Sequence, residues 1–214
     1  MRTIMVLNAK GGCGKSTLAT NLASHYAANG HPVALADFDP QASSLEWLQA
    51  RPPERSPIQG IAGWEEAVRP PRDTEYLIID TPARAHGKDL TALVRRAQTV
   101  LLPVLPSAID TRAAAHFVEE LLTVGKVSRD ETRLAVVANR VREHTLSYQS
   151  LQRFLRALRI PFVAALRDTQ NYVRAAERGL GIFELAPSLA AQDLEQWEPL
   201  LKWLRSKRSL PRSA

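Results

Sequence analysis

The residues best suited to chemistry lie in one glycine- and lysine-rich stretch near the N-terminus. Residues 8–17 read NAKGGCGKST and follow an apolar run at residues 4–7. Backbone N–H groups of such a loop can converge on phosphate oxygens, where a lysine adds positive charge and a serine hydroxyl can ligand Mg²⁺. Glycine suits the loop because a Cβ would obstruct that approach. The stretch predicts a phosphate site that comprises Lys10, Gly11, Gly12, Cys13, Gly14, Lys15, Ser16 and Thr17.

Three carboxylates follow two further apolar runs. Residues 33–36 lead into Asp37 and Asp39, and residues 76–79 lead into Asp80. Beside phosphate and Mg²⁺, a carboxylate can hold the metal, directly or through water, or can orient an attacking water. The same residues would also suit ordinary turns, in which Asp and Pro are common. Their position directly after apolar strands favours a metal site.

The elements that would bring these groups together are alternating strands and helices. Apolar runs of strand length alternate with segments whose apolar residues have helical spacing. This alternation predicts an α/β fold: a doubly wound, mainly parallel sheet with helices on both faces and a ligand-binding edge at the carboxyl ends of its strands. We expect one domain over residues 1–214. The predicted strands cover residues 4–7, 33–36, 76–79, 99–104, 134–138 and 161–166, and the predicted helices cover 17–29, 43–50, 110–124, 146–158 and 187–205.

Some local features are less regular. Residues 51–73 are rich in proline and charge, and we expect a short strand near Ile58 and a helix over residues 63–68 within them. Asp110 is predicted to cap the helix that begins there. Residues 206–214 are expected to be a frayed tail.

Composition and charge narrow the class of protein. Of the 214 residues, 45% are hydrophobic, which is enough for a substantial core, and the formal net charge is +6. Residues 140–214 hold 13 Lys and Arg against 7 Asp and Glu, so the excess lies in the C-terminal third. A polyanionic partner and a merely solvated basic surface both fit this excess. The single cysteine excludes an intrachain disulfide, and no apolar run approaches the roughly 20 residues of a membrane span, so we expect a cytoplasmic protein.

The three motifs together resemble those of the ParA/MinD family of ATPases. The run KGGCGKS, with Ala9 where the general phosphate-loop pattern has glycine, resembles the family's deviant Walker A loop. DFDPQ at residues 37–41 is similar to its Walker A′ motif, and the strand ending in Asp80-Thr81-Pro82 is similar to its Walker B strand. Because the chain begins at its first strand, it resembles the short ParA form. The resemblance implies a P-loop NTPase fold with ATP and Mg²⁺.

The resemblance also implies roles for individual residues. Lys10 would be the signature lysine that reaches the partner subunit's nucleotide, and Lys15 would bind phosphate. Asp39 would position the attacking water, so that Lys10, Lys15 and Asp39 form the catalytic set. Ser16, Asp80 and, near the metal shell, Asp37 would form the magnesium site. Asn139, at the end of a predicted strand, would contact the adenine base, although it could also simply turn the chain.

The function implied is that of a nucleotide-switched positioning protein. An ATP-bound homodimer would bind DNA nonspecifically through Arg167, Arg174 and Arg178, which places the protein on the nucleoid. A ParB-like or other small adaptor protein would stimulate slow ATP hydrolysis. The cargo could be a plasmid, a chromosome or a protein assembly. Residues 83–89 would form the switch-like segment that senses the γ-phosphate.

A MinD-like ATPase that cycles on a membrane is the alternative. It would need an amphipathic C-terminal helix, and the helix at residues 187–205 carries Leu194, Trp197, Leu201 and Leu204 on one face. Packing of that face against the sheet explains it more simply, so a membrane partner is not expected. A nitrogenase-like iron protein is excluded, because one cysteine cannot ligate an iron–sulfur cluster.

Overall fold

The computed structural model describes residues 1–65, 67–83, 85–124, 127, 131–158 and 160–211. The strands within these ranges are β1 Arg2–Val6, β2 Val33–Asp37, β3 Gln59–Ala62, β4 Tyr76–Asp80, β5 Thr99–Val104, β6 Arg133–Val141 and β7 Phe162–Arg167. They form one sheet in the order β3-β2-β4-β1-β5-β6-β7, and every neighbouring pair is parallel.

Helices connect the strands. They are α1 Lys15–Ala28, α2 Ser43–Gln49, α3 Gly87–Val94, α4 Ala108–Thr123, α5 Leu146–Ala157, α6 Gln170–Ala176 and α7 Pro187–Arg205. Two short 3₁₀ helices, Ile182–Glu184 and Lys207–Ser209, flank α7.

The sheet is buried on both faces. Side chains alternate between the two faces of a strand, and in β1 Ile4 and Val6 pack against α1, α2 and α7, whereas Met5 lies on the opposite face with α3, α4 and α5. Burial on both faces explains why the strands are almost entirely apolar instead of alternating with polar residues. The predicted doubly wound parallel fold is confirmed.

The carboxyl ends of the central strands meet at one edge. Asp37 of β2 and Asp80 of β4 are register partners, and Asp80 also pairs with Val6 of β1. The phosphate loop leaves β1 at the same edge and enters α1. This arrangement is the usual ligand-binding edge of an open α/β sheet.

The helix predicted at residues 63–68 is wrong. The described residues 63–65 form a turn, 67 and 68 are not helical, and residue 66 lies outside the described residues. Gly63 donates its N–H to the Asp37 carbonyl at 2.7 Å, and a Cβ at this position would lie 2.9 Å from the Phe38 ring. Pro70 and Pro71 follow closely, and so short a segment cannot offset the cost of helix nucleation. The strand expected near Ile58 is present as β3.

Asp110 is not the helix cap that the sequence predicts. Helix α4 begins at Ala108, and Ser107 is its N-cap, with Oγ accepting the Asp110 N–H at 3.0 Å. Ser107 Oγ also donates to the Asp110 carboxylate. Serine followed by an acidic residue three positions later is a recognised signal for the start of a helix. The sequence-based prediction therefore placed the start of this helix too late.

The expected frayed tail is also wrong over its described part. Ser209 is fully buried, and its carbonyl accepts from Arg2 Nη2 at 2.8 Å and from Thr99 Oγ1 at 2.5 Å. These contacts hold the 3₁₀ turn against the amino ends of β1 and β5. Residues 212–214 lie outside the described residues.

Candidate nucleotide site

The phosphate loop adopts backbone conformations that require glycine. Gly12 and Gly14 have φ values of 73° and 93°, in the left-handed region. At Gly14 a Cβ would also lie 2.1 Å from Asn139 Nδ2, so the neighbouring strand end leaves no space for a side chain. Gly14 is the N-cap of α1 and has no side chain to bond the first N–H groups. Those groups and the helix dipole are therefore available to an anion.

Side chains from neighbouring segments support the loop from within the molecule. Asn8 Nδ2 donates to the Pro103 carbonyl at 2.7 Å, and Asn8 Oδ1 accepts the Lys10 N–H at 3.1 Å. Asn139 Nδ2 donates to the Cys13 carbonyl at 2.9 Å. Cys13 is buried, its Sγ donates to the Lys10 carbonyl at 3.2 Å, and burial raises the pKa of its thiol. Cys13 thus packs the loop as a neutral thiol.

Sequence analysis identified only one of these two asparagines, Asn139, as a candidate site residue. Asn139 was predicted directly after its strand, but it lies within β6, two residues before the strand ends, and its amide nitrogen donates to the loop carbonyl of Cys13. Asn139 also lines the cleft, so its contact with adenine stays a prediction. Asn8 was missed as a support residue, because its partner Pro103 is 95 positions away in the chain.

The acidic residues at the strand ends occupy two different environments. Asp37 is fully buried, and its two oxygens accept the N–H groups of Asp39 at 2.9 Å and Ser44 at 3.0 Å. Burial raises the pKa of Asp37 against the effect of these N–H groups. Asp39 is partly exposed at the cleft, and its Oδ1 accepts the Gln41 N–H at 3.0 Å. The position of Asp39 suits contact with a water in the cleft, and its catalytic role stays a prediction.

Asp80 has an oxygen that suits a cation. Its Oδ2 accepts from Ser44 Oγ at 2.6 Å, whereas no donor among the described residues reaches the buried Oδ1 in hydrogen-bond geometry. Burial raises the pKa of Asp80 to about 6, although the Ser16 and Ser44 hydroxyls and Lys15 act in the opposite direction. A buried carboxylate oxygen without a donor is costly unless a ligand meets it.

The donor set fits Mg²⁺ shared with a nucleotide. Within the described ranges, no cluster of three or more His, Cys, Asp and Glu side chains could hold a metal unaided. Mg²⁺ commonly uses one or two protein oxygens together with phosphate oxygens and water. Asp80 Oδ1 and the Ser16 hydroxyl are the protein oxygens that fit. Both oxygens of Asp37 already accept backbone N–H groups, so its place near the metal shell stays a prediction.

A cleft of about 890 Å³ opens above these groups. Its lining includes the phosphate loop, Asp39, Gln41, residues 167–170, Tyr172 and Val173. Lys15 is buried at the base, where its Nζ donates to the Lys10 carbonyl at 3.3 Å. The size and polarity of the cleft suit a nucleotide.

Lys10 pairs within its own chain. Its Nζ lies 2.7 Å from Asp110 Oδ1, with side-chain exposures of 36% and 9%. Gly11 and Gly12 beside it are exposed, so this side of the loop forms part of the molecular surface. The pairing with Asp110 was missed, because local spacing gives no sign of a contact across 100 positions. The role of Lys10 towards a second subunit stays a prediction.

The three arginines predicted to bind DNA have different surroundings. Arg167 forms an ion pair with the fully buried Asp193, with Nε 2.5 Å from Oδ1, and its Nη1 donates to Gln192 Oε1 at 2.6 Å. Arg167 therefore fastens α7 to the end of β7. Arg174 and Arg178 are exposed at α6 and directly after it. DNA contact by all three stays a prediction.

The predicted switch-like segment is attached to α4. His86 Nδ1 lies 2.8 Å from Glu120 Oε2, and the Gly87 N–H donates to Glu120 Oε1 at 2.9 Å. These contacts lower the pKa of Glu120. Two residues before the segment, Thr81 Oγ1 donates to the Val6 carbonyl at 2.9 Å. Residue 84 lies outside the described residues, and the switch role stays a prediction.

The apolar face of α7 belongs to the core. Trp197 is fully buried, Leu201 and Leu204 are nearly so, and Leu194 packs against the same cluster. This burial supports core packing over membrane insertion for the face. In the part of the chain that is described, no helix combines the length and apolarity that spanning a bilayer requires.

Comparison with known proteins identifies related sequences. A model of the CobQ/CobB/MinD/ParA nucleotide binding domain matches residues 4–182. A maintenance of carboxysome distribution protein A from Halothiobacillus neapolitanus is 26% identical over 86% of this chain and 87% of its own length. The protein of the same name from Gloeobacter kilaueensis is 31% identical over 86% of this chain and 84% of its own length.

Solved structures show the same fold. A plasmid partition protein from Borrelia burgdorferi B31 bound to AMPPNP superposes with a TM-score of 0.74 at 16% identity, covering 94% of this chain and 98% of the other. The septum site-determining protein MinD of Pyrococcus horikoshii, complexed with Mg-ADP, gives a TM-score of 0.68 at 16% identity, with coverages of 96% and 99%. ATP with Mg²⁺ thus fits the phosphate loop of this fold.

Proposed function

The chain belongs to the CobQ/CobB/MinD/ParA nucleotide-binding family, and from this membership we propose that it is a positioning ATPase that dimerises when it binds Mg-ATP. The observation that carries the proposal is the buried Oδ1 of Asp80, which lacks a donor among the described residues beside a phosphate loop. The site would be complete only with a cation and phosphate.

Each residue of the site has a task in this proposal. The N–H groups of the loop and Lys15 bind the phosphates, and Ser16 with Asp80 holds Mg²⁺. The bound cation supplies charge that stabilises the phosphates during hydrolysis. Asp39 orients the attacking water from the rim of the cleft. Because the chemistry needs positioning more than covalent catalysis, slow hydrolysis that a partner accelerates is the expected behaviour.

Lys10 is the feature that suits a dimer. It lies on the exposed side of the loop, and its pairing with Asp110 is partly open to solvent, so the ammonium can exchange partners at modest cost. In the dimer, Lys10 would leave Asp110 and contact the phosphates bound to the second subunit.

The proposed cargo system includes DNA and an adaptor. Arg174 and Arg178 are exposed and would contact DNA phosphates without reading sequence, and Arg167 would contribute only if its ion pair with Asp193 opened. A ParB-like or other small adaptor would stimulate hydrolysis and release the dimer from the nucleoid. The relatives that maintain carboxysome distribution support a protein assembly as cargo, and the partition protein supports a plasmid.

A variant of Lys10 tests the dimer. Lys10→Ala should bind ADP as the parent does but fail to bind DNA in the presence of Mg-ATP, because only the ATP dimer binds tightly. Lys202→Ala, which changes an exposed lysine on α7, is the matched control. DNA binding with ATP that equals the parent's would show that Lys10 has no role between subunits.

The proposed DNA contacts of Arg174 and Arg178 have their own test. DNA affinity should fall steeply as salt rises, with a slope of about −0.9 per phosphate contacted. Arg174→Ala with Arg178→Ala should lower the affinity and flatten the slope, whereas Arg69→Ala with Arg72→Ala, also exposed, should change neither. An ATP-bound dimer without DNA binding at low salt would contradict this part of the proposal.

A further inference from the structure

We propose that Ser44 is a positioning residue of the magnesium site, whose hydroxyl fixes Asp80 so that Oδ1 is the oxygen offered to the cation. The inference rests on the proposed function in one respect, because it takes a Mg-nucleotide to bind beside Asp80. Ser44 lies outside the three sequence motifs, and its role comes from contacts that the fold creates.

Ser44 contacts both buried carboxylates of the sheet edge. It is fully buried in the first turn of α2, where its N–H donates to Asp37 Oδ2 at 3.0 Å and its Oγ donates to Asp80 Oδ2 at 2.6 Å. Asp37 and Asp80 are register partners on neighbouring strands. One serine thus gives a donor to each of two adjacent acidic groups.

The hydroxyl decides which oxygen of Asp80 remains available. A serine hydroxyl has a single hydrogen, and here it is given to Oδ2. Hydrogen bonds to ionised acceptors are short and directional, and the O–O distance of 2.6 Å falls in their range. Rotation of the carboxylate would break this bond, so the buried Oδ1 is held in one direction.

Helix α2 is well suited to hold Ser44 still. At its other end, Trp47 Nε1 donates to the Leu180 carbonyl at 3.1 Å. Arg51 follows the helix and forms a buried ion pair with Glu184, with Nη2 2.7 Å from Oε1. The carboxyl end of α2 is therefore fastened to residues 180–184, and the helix holds Ser44 in place, as a supporting residue of a metal site needs.

The experiment measures how strongly Mg²⁺ tightens nucleotide binding. For each protein, the affinity for a fluorescent ADP is measured with excess Mg²⁺ and with EDTA, and the ratio of the two is the readout. Ser44→Ala should lower this ratio by about tenfold, as loss of a hydrogen bond to a charged group commonly does, while the affinity in EDTA stays at the parental value. Ser44→Thr keeps the hydroxyl and should restore the ratio.

Further variants separate positioning from packing. Ser24→Ala removes another fully buried serine hydroxyl, which donates to the Asn21 carbonyl away from the cleft, and should leave the ratio unchanged. Ser44→Cys keeps nearly the same volume with a weak donor, so it should lower the ratio even if Ser44→Ala does not fold. Direct titration with Mn²⁺ in the presence of ADP should show the same order of variants.

Two results would overturn the inference. One is a parental ratio in Ser44→Ala and Ser44→Cys, and the other is an equal loss of affinity with and without Mg²⁺, which is what a merely structural role produces. If the parent itself binds ADP no better with Mg²⁺ than with EDTA, the proposed function fails along with the inference. That outcome is distinguishable, because it is seen before any variant is made.

Discussion

The two edges of the sheet differ in how their polar groups are used. At the amino edge, Arg2 Nη2 donates to Thr99 and Ser209, and the Tyr26 ring stacks on Tyr76 with centroids 3.7 Å apart. At the carboxyl edge, the buried Asp80 keeps an oxygen that no donor from the described residues meets. Each edge thus holds a buried polar atom without a hydrogen-bond partner among the described residues, Arg2 Nη1 and Asp80 Oδ1. The other contacts of Arg2 tie the end of the chain to the sheet, whereas Asp80 lies beside Lys15 and Ser16 of the phosphate loop, where a ligand can complete its interactions.

This difference shows that stability and ligand binding are served by separate parts of one fold. A buried polar group without a hydrogen-bond partner lowers the stability of the ligand-free protein. Proteins retain such groups where a ligand or cofactor supplies the missing partner. Substitutions that remove such a group at the carboxyl edge should therefore weaken ligand binding and raise the free energy of unfolding. Substitutions at the amino edge should change stability alone.

Asp80→Asn should produce the largest effects: it should weaken Mg-nucleotide binding and raise the free energy of unfolding. Mg-nucleotide binding and hydrolysis should fall by about 100-fold or more, because a charged magnesium ligand is lost. The folded pKa is raised to about 6 from 3.8, so ionisation costs stability above pH 6 and the cost disappears as pH falls towards 4. The variant should thus gain up to about 3 kcal/mol in unfolding free energy near neutral pH, measured by urea denaturation without nucleotide. Loss of stability in Asp80→Asn would contradict the comparison.

Tyr26→Ala should affect stability only. Removal of a nearly buried aromatic ring that stacks on Tyr76 should lower the free energy of unfolding by about 3 kcal/mol. The affinity of the folded protein for Mg-ADP should remain parental, because the ring lies at the opposite edge of the sheet from the cleft. Leu146→Ala, at a side chain that is 80% exposed, is the control and should change stability by less than about 0.5 kcal/mol.

His25→Asn should make the protein less sensitive to acid. Burial lowers the pKa of His25 to about 4, so the unfolded chain binds the proton first and stability is lost as pH falls from about 6.5 towards 4. Solvent reaches part of the ring, which reduces the effect. Between neutral pH and about pH 5, we expect the free energy of unfolding to fall by about 1 kcal/mol less in the variant than in the parent. The contribution of Asp80 to the free energy of unfolding has the opposite pH dependence in this range. Because Asp80 is present in both proteins, its contribution cancels in the difference. Identical pH profiles would show that His25 does not contribute.

Asp110→Asn should have the smallest effect on each subunit. It weakens the attraction that keeps Lys10 within its own chain, and a partly exposed pair of this kind contributes about 0.5 to 1 kcal/mol. Because one such pair opens in each of the two subunits, we expect dimerisation with a nonhydrolysable ATP analogue to strengthen by about five- to thirtyfold, as measured by sedimentation. Ser107→Ala removes the helix cap without removing the charge, and it separates the ion pair from helix stability. Weaker dimerisation of Asp110→Asn would mean that Asp110 acts between subunits.

The sequence predicted those parts of the fold and site that are contiguous in the chain. The phosphate loop is one run of residues and Asp80 is the last residue of β4, so the local sequence pattern located both. Ser44, Asn8 and Ser209 act through partners that lie 36, 95 and 110 positions away, and no local spacing contains these pairings. Arg167 was recognised as basic, but only the fold shows that Asp193 neutralises it.

Mass measurement in solution tests most directly whether the nucleotide at the carboxyl edge drives dimer formation. Light scattering after size exclusion should give a monomer without nucleotide and with Mg-ADP, and twice that mass with Mg²⁺ and a nonhydrolysable ATP analogue. Lys10→Ala should remain monomeric under all three conditions. A parent protein that is saturated with the ATP analogue and still monomeric would contradict the proposal.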